Sequence, residues 1–146
     1  MQNDSAQFQF SEQIGHLLRR AYQRHVSIFQ KAVPDAHLTA AQFVVLCTLR
    51  DSPNCDVADV AKATAIDEVS VRGILERLKW RELINARHEP GDTRHLDLSL
   101  TPAGATLVHD TVPFARQISE ETFSDLTSDE RSQLLNLLRR ISGIGG

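Results

Sequence analysis

IDEVSVRGILERLKWRELINARHEPGDTRHLDLSLT, residues 66–101, decides the fold. Asp67 offers an N-cap carboxylate to a helix. In that helix Val69, Val71, Ile74, Leu75 and Leu78 recur at the spacing of an inward face. Ser70, Arg72, Gly73, Glu76, Arg77 and Trp80 fall elsewhere on it. Two short strands follow, at 83–87 and 96–100. The second alternates strictly, with Leu96, Leu98 and Leu100 on one face and Asp97 and Ser99 on the other. The intervening His88-Glu89-Pro90-Gly91-Asp92-Thr93-Arg94-His95 is polar and built on turn residues. Thr101-Pro102 then opens another helix, with a capping hydroxyl and a proline at the first helical position. A helix followed directly by a two-stranded ribbon is the order of a winged helix-turn-helix.

The chain upstream supplies the missing half of that motif. Thr39-Ala40-Ala41-Gln42 is a capping box, and its helix runs to about residue 51. Ser52-Pro53-Asn54 ends it. Asp56 caps a short helix at about 57–63, and the turn at 64–66 leads to Asp67. Helix, short turn, helix is the arrangement that lays its second helix in a major groove.

Long helices flank this lobe. Over residues 11–33 the apolar positions, from Ile14, Leu17 and Leu18 to Ile28, Phe29 and Ala32, repeat at three and four. Ser11 is the expected N-cap and Pro34 the stop. Such a helix spans roughly 33 Å at its standard rise. It is too long for a small lobe to cover, so part of its stripe is expected to meet another chain. Beyond Pro102 a helix continues through Pro113, which should kink it, and a second capping box, Thr127 to Glu130, opens the last one. The expected architecture is mainly α with a two- or three-stranded β-wing. It comprises an N-terminal arm and dimerisation helix at 1–37, a winged lobe at 38–100 and C-terminal dimerisation helices at 101–146. Paired by a two-fold axis, two such lobes set their reading helices about 34 Å apart, one turn of DNA.

Composition limits what else the chain can be. It has 146 residues, 16 basic and 19 acidic, for a net charge of -3. That is not the strongly basic balance of many nucleic-acid binders. Residues 67–95 hold six basic and six acidic side chains, so a positive face must come from arrangement. No apolar run approaches the roughly 18 residues that cross a bilayer. The first ten residues lack the basic and apolar regions of a signal peptide. A cytoplasmic protein without a membrane partner is expected. The two cysteines, Cys47 and Cys55, and the six histidines have no metal-ligand spacing. No nucleophile elbow, phosphate loop or HExxH occurs, so neither an enzyme nor a cofactor is expected.

Taken together, these segments resemble the MarR-type transcriptional regulators along the whole chain. The resemblance is carried by residues 38–46, LTAAQFVVL, by VADVA at 57–61, by SVRGILERL at 70–78, and by Leu83-Ile84. Its most specific part is Asp92-Thr93-Arg94 leading into LSLTPAG at 98–104. The family pattern implies a homodimer that reads a pseudo-palindromic DNA duplex, with the fourth helix in the major groove and the wing in the minor groove. Carried over, Ser70, Arg72 and Gly73 lie where base and phosphate contacts fall. Arg77 matches an arginine that works with the wing aspartate, here Asp92. Arg94 matches the wing-tip arginine, and His95 flanks it within reach of phosphate. Guanidinium groups suit guanine edges and narrow minor grooves. Two departures stand out: Glu82 replaces a helix-capping glycine, and Gly73 replaces a longer polar residue.

The resemblance also implies a small aromatic carboxylate as effector, bound between the dimerisation helices and the lobe. His16 and Arg20 share a face four residues apart, and a guanidinium there suits a carboxylate. Arg19 competes with Arg20 for that role. Phe43 and Cys47, one turn apart, are candidates for the apolar side. The expected function is a ligand-released repressor. The alternatives are a winged-helix module for protein contacts and a regulator answering phenolic drugs.

Overall fold

The computed structural model describes residues 4–144, apart from the side chains of residues 4, 89 and 92–95. Its elements run α1 (Asp4–Gln7), a 3-10 turn (Phe10–Glu12), α2 (Ile14–Ala32), α3 (Ala40–Asp51), α4 (Val57–Thr64), α5 (Glu68–Trp80), β1 (Ile84–Glu89), β2 (Asp92–Leu100), α6 (Pro102–Thr122) and α7 (Ser128–Ile141). Mostly helical, with a two-stranded antiparallel wing, it is the expected fold class. The first long helix starts later than its periodicity implies, because Ser11 lies in the 3-10 turn instead of capping α2. α6 runs through Pro113 without interruption.

The chain divides into two compact units, Met1–Ile28 with Arg116–Gly146, and Phe29–Ala115. The second contains the winged lobe. Its core is aliphatic and closed: Leu38, Val45, Leu46, Val60, Val71, Leu78, Leu98 and Val108 are all fully buried. Phe29 packs its ring against Phe43 at 5.8 Å. Burying each such side chain contributes about 1.5–3 kcal/mol.

Local chemistry starts each helix of the lobe where the sequence indicates. Thr39 and Gln42 close a reciprocal capping box at α3. Asp56 caps α4, and Asp59 reaches back to the Asp56 N–H, a second box. Ala65 takes a left-handed conformation (φ 59°) to turn the chain from α4 into α5.

β1 and β2 pair from Ile84↔Leu100 to His88↔Leu96, with an irregularity between His88 and Glu89. The strands exceed their expected lengths and meet at Pro90-Gly91. Gly91, at φ 85°, follows the proline as the third residue of a type II turn requires. A single bridge, Cys55↔Leu98, adds a third strand position. Leu98 N–H donates to the Cys55 carbonyl and Asn54 N–H to the Leu98 carbonyl, both at 3.0 Å.

α5 ends in a Schellman motif, with Glu82 N–H donating to the Lys79 carbonyl (2.9 Å) and Leu83 N–H to the Leu78 carbonyl (3.0 Å). Glu82 is left-handed (φ 59°), the conformation glycine adopts without penalty. Thr101 locks this cap from the far side: its hydroxyl donates to the Glu82 carbonyl at 2.8 Å and accepts from Gly104 N–H at 3.0 Å. Thr101 N–H donates to the Leu83 carbonyl at 3.1 Å. Gly104 is pressed so close that a Cβ would lie 2.1 Å from that carbonyl oxygen.

In the other unit, Arg24 donates to Ser124 Oγ at 3.1 Å, and His25 Nδ1 lies 3.0 Å from Thr122 Oγ1. Burial holds the His25 imidazole below its ordinary pKa. Ile118 is buried, yet Ile14, Leu17, Tyr22, Leu137 and Ile141 are at least half exposed.

Two substitutions test the junction. Gly104→Ala should lower stability by about 3 kcal/mol, because the new methyl group strikes fixed backbone. Glu82→Gly should raise it by roughly 1 kcal/mol by relieving the left-handed residue. Chemical denaturation followed by circular dichroism checks both, and a neutral result at Gly104 would refute the close packing.

Candidate DNA-reading surface

α5 is positioned by its two ends. At the start, Asp67 accepts from Ser70 N–H at 3.0 Å and from the Ser70 hydroxyl at 2.8 Å. The Ser70 backbone donor, then its hydroxyl, holds the Asp67 carboxyl below the usual range. At the end stands the cap described above. Between them Val71, Leu75 and Leu78 are buried against the lobe.

The opposite face is open. Ser70, Arg72, Gly73, Glu76, Arg77 and Trp80 are all exposed, as expected. Val69 is not inward as its apolar character implied: it is 81% exposed, and Trp80 is 88% exposed. Arg72 and Arg77 flank this face and form no ion pair among the described residues. Both guanidinium groups therefore stand exposed on the open side of α5, in a lobe whose charges balance overall. Ser70 spends its hydroxyl proton on the cap and keeps only acceptor lone pairs for a partner. The side chains of Asp92, Arg94 and His95 lie outside the described residues; their backbone forms the first part of β2.

Beside Arg77 a cleft of about 620 Å³ is lined by His37, Thr39, Gln42, Glu76, Arg77, Trp80 and Arg81. Arg81 anchors it, its Nη2 donating to Asp35 Oδ2 at 2.6 Å. His37 N–H donates to the other oxygen of Asp35 at 3.0 Å. Burial pushes the Asp35 carboxyl up, but the bonds from Arg81 and His37 outweigh it and hold the group below its ordinary value. Arg81 Nη1 is buried without a hydrogen-bond partner among the described residues. The Asp35–Arg81 pair spans 46 positions in sequence and has no local signature. Only a fold places the two together.

The residues expected to meet an effector fall in both units. His16 is half-buried on α2, with its ring edge-on to Phe10 at 5.0 Å. Arg19 and Arg20 are exposed and unpaired among the described residues. Phe43 is only 8% exposed and belongs to the core of the lobe. Cys47 is half-buried, and burial raises its thiol pKa, so it is a poor thiolate at neutral pH. Cys55 is the buried cysteine. Among the described residues no cluster could hold a metal ion, and no helix is long and apolar enough to cross a membrane.

A capped reading helix, a β-wing and a preceding helix-turn define a winged helix-turn-helix DNA-binding protein. Comparison with known proteins gives the family. The MarR family model matches residues 38–96. The HTH-type transcriptional repressor NicR of Pseudomonas putida is 48% identical over 138 residues, covering 94% of this chain and 87% of NicR. BpsR of Bordetella bronchiseptica, whose DNA binding is regulated by 6-hydroxynicotinic acid, superposes with a TM-score of 0.87 at 55% identity. That match covers 93% of this chain and 98% of BpsR. A variant of Escherichia coli MarR in complex with operator DNA superposes at 0.80 with 26% identity, covering 92% and 98%. The chain belongs to the MarR family and is a transcriptional regulator.

The Asp35–Arg81 tie has a pH signature. A carboxyl whose folded pKa is depressed contributes stability above its unfolded value and loses it as pH falls through the folded one. Asp35→Asn should therefore be less stable than the parent at pH 7, and its stability should fall less steeply below about pH 4, the unfolded carboxylate range. Urea midpoints measured from pH 7 to 3 check this; parallel curves would remove Asp35 from the linkage.

Proposed function

We propose that this protein is a homodimeric repressor that leaves its operator when a hydroxylated aromatic or pyridine carboxylate binds. The observation that carries the reading is the near full-length likeness to two regulators, one named a repressor and the other controlled by 6-hydroxynicotinic acid. The dimer is supported by the exposed apolar side chains of α2 and α7, including Leu17, Tyr22, Leu137 and Ile141, which a single chain leaves in water. Two α5 helices would then enter successive major grooves of a pseudo-palindrome, with Arg72 and Arg77 on the backbone and base edges. Arg94 would carry the wing into the minor groove. The protein would act in the cytoplasm, on DNA, without enzymatic chemistry.

We assign the effector's carboxylate to the α2 cations. Arg19 and Arg20 are exposed with no ion pair among the described residues, and His16 lies one turn from Arg20. Binding there need alter DNA affinity by only a few kcal/mol, the difference in its own affinity for the two states of the dimer.

The test is a gel shift against the duplex upstream of the protein's own gene, titrated with 6-hydroxynicotinate, nicotinate and benzoate. Release by 6-hydroxynicotinate at the lowest concentration is expected. Arg20→Ala should retain DNA binding and lose the response, whereas Arg94→Ala should weaken binding about tenfold or more and stay dimeric. Equal release of the Arg20→Ala complex would place the carboxylate elsewhere, with Arg19→Ala as the next variant. Indifference to all three acids would remove the effector class.

A further inference from the structure

Two glycines lie inside helices of the lobe, and their surroundings are opposite. Gly104 is jammed against the Leu83 carbonyl, and packing explains it. A Cβ at Gly73 would meet nothing within 4 Å. Gly73 sits mid-helix in α5, where glycine weakens a helix relative to alanine. One turn before it stands Val69, 81% exposed. A β-branched residue is another poor helix former, and in this chain it stays mostly in water. The two positions face the same side of α5, with Trp80 further along it and Arg72 and Arg77 to either side. Two residues that weaken the helix and are left mostly uncovered by the chain occupy the middle of its open face.

From this we infer that Val69 and Gly73 form an apolar notch that seats the 5-methyl group of a thymine in each half-site. The inference rests on the DNA-reading function proposed above. Gly73 lacks the side chain that would hold the helix off the groove floor, so α5 can approach base edges closely there. The isopropyl group of Val69 forms the wall of the notch. A methyl group is the one apolar feature that the major groove displays, and only thymine carries it. Position 73 then selects by shape instead of by hydrogen bonding, and the flanking arginines fix the register on the backbone.

The experiment uses the full-length protein and a duplex enriched by it from a random-sequence pool. Each thymine of that duplex is replaced singly by uracil, which removes only the methyl group, and affinity is read by fluorescence anisotropy at fixed salt. For the parent protein one symmetry-related pair of thymines should stand out, each replacement weakening binding about three- to tenfold, the worth of a buried methyl contact. Val69→Ala should bind the thymine duplex several-fold more weakly and lose that discrimination. Gly73→Ala should melt a few degrees higher than the parent, yet bind the enriched duplex at least tenfold more weakly. Opposed signs in stability and affinity are not expected of a merely structural glycine. Discrimination that persists in Val69→Ala, or parental affinity in Gly73→Ala, overturns the notch. If no sequence is enriched at all, the DNA-reading function fails first and the notch with it.

Discussion

The backbone of Leu83 is the point on which the lobe turns. Its N–H closes the cap of α5 on the Leu78 carbonyl. Its own carbonyl accepts from Thr101 and rests against Gly104, where α6 begins. One residue later β1 starts and the wing is under way. A single residue therefore fixes where α5 ends, where the ribbon leaves and how α6 meets both. Groups held this way have little freedom: a hydrogen bond forgone in a buried site costs about 1–3 kcal/mol, and a shift of the Leu83 carbonyl forgoes the bond from Thr101. The aliphatic core behind α5 supplies the stabilising area, but area alone does not choose an angle between helix and ribbon. The Leu83 junction does.

Much of this was legible in the chain. Thr39, Asp56, Asp67 and Thr127 announce their helices through short-range chemistry, and each caps the helix it was expected to cap. Pro90-Gly91 announces its turn for the same reason. Misreadings arise where the deciding partner is far away or outside the chain. Val69 has the spacing of a core residue, and periodicity registers apolar character without saying what will cover it. The first helix shows the same ambiguity on a larger scale, since its stripe is regular and yet largely exposed. Asp35 and Arg81 carry no mutual signal across a separation of 46 positions. Gly104 resembles any small helical residue until the Leu83 carbonyl is set beside it. The effector side chains are the least legible, because a histidine and two arginines on a helix suit solvent, a partner or a ligand equally well.

Charge follows the same logic. A net charge of -3 says nothing about where cations stand. In α5 the acidic Asp67 is engaged as a cap and Glu68 lies in the first turn, where negative charge suits the helix dipole. Arg72 and Arg77 are left to the open face. The acidic side chains that balance the count do not all balance the field at the open face of α5.

Trp80 gives that surface an optical property. It is the single tryptophan of the chain, it closes α5, and it stands 88% exposed at the edge of the cleft beside Arg77. Its indole therefore emits from water in the free protein, with no second tryptophan to dilute the signal. A ligand that covers this end of α5 displaces that water or approaches the ring. The intrinsic emission of the unlabelled protein thus reports occupancy of this one face.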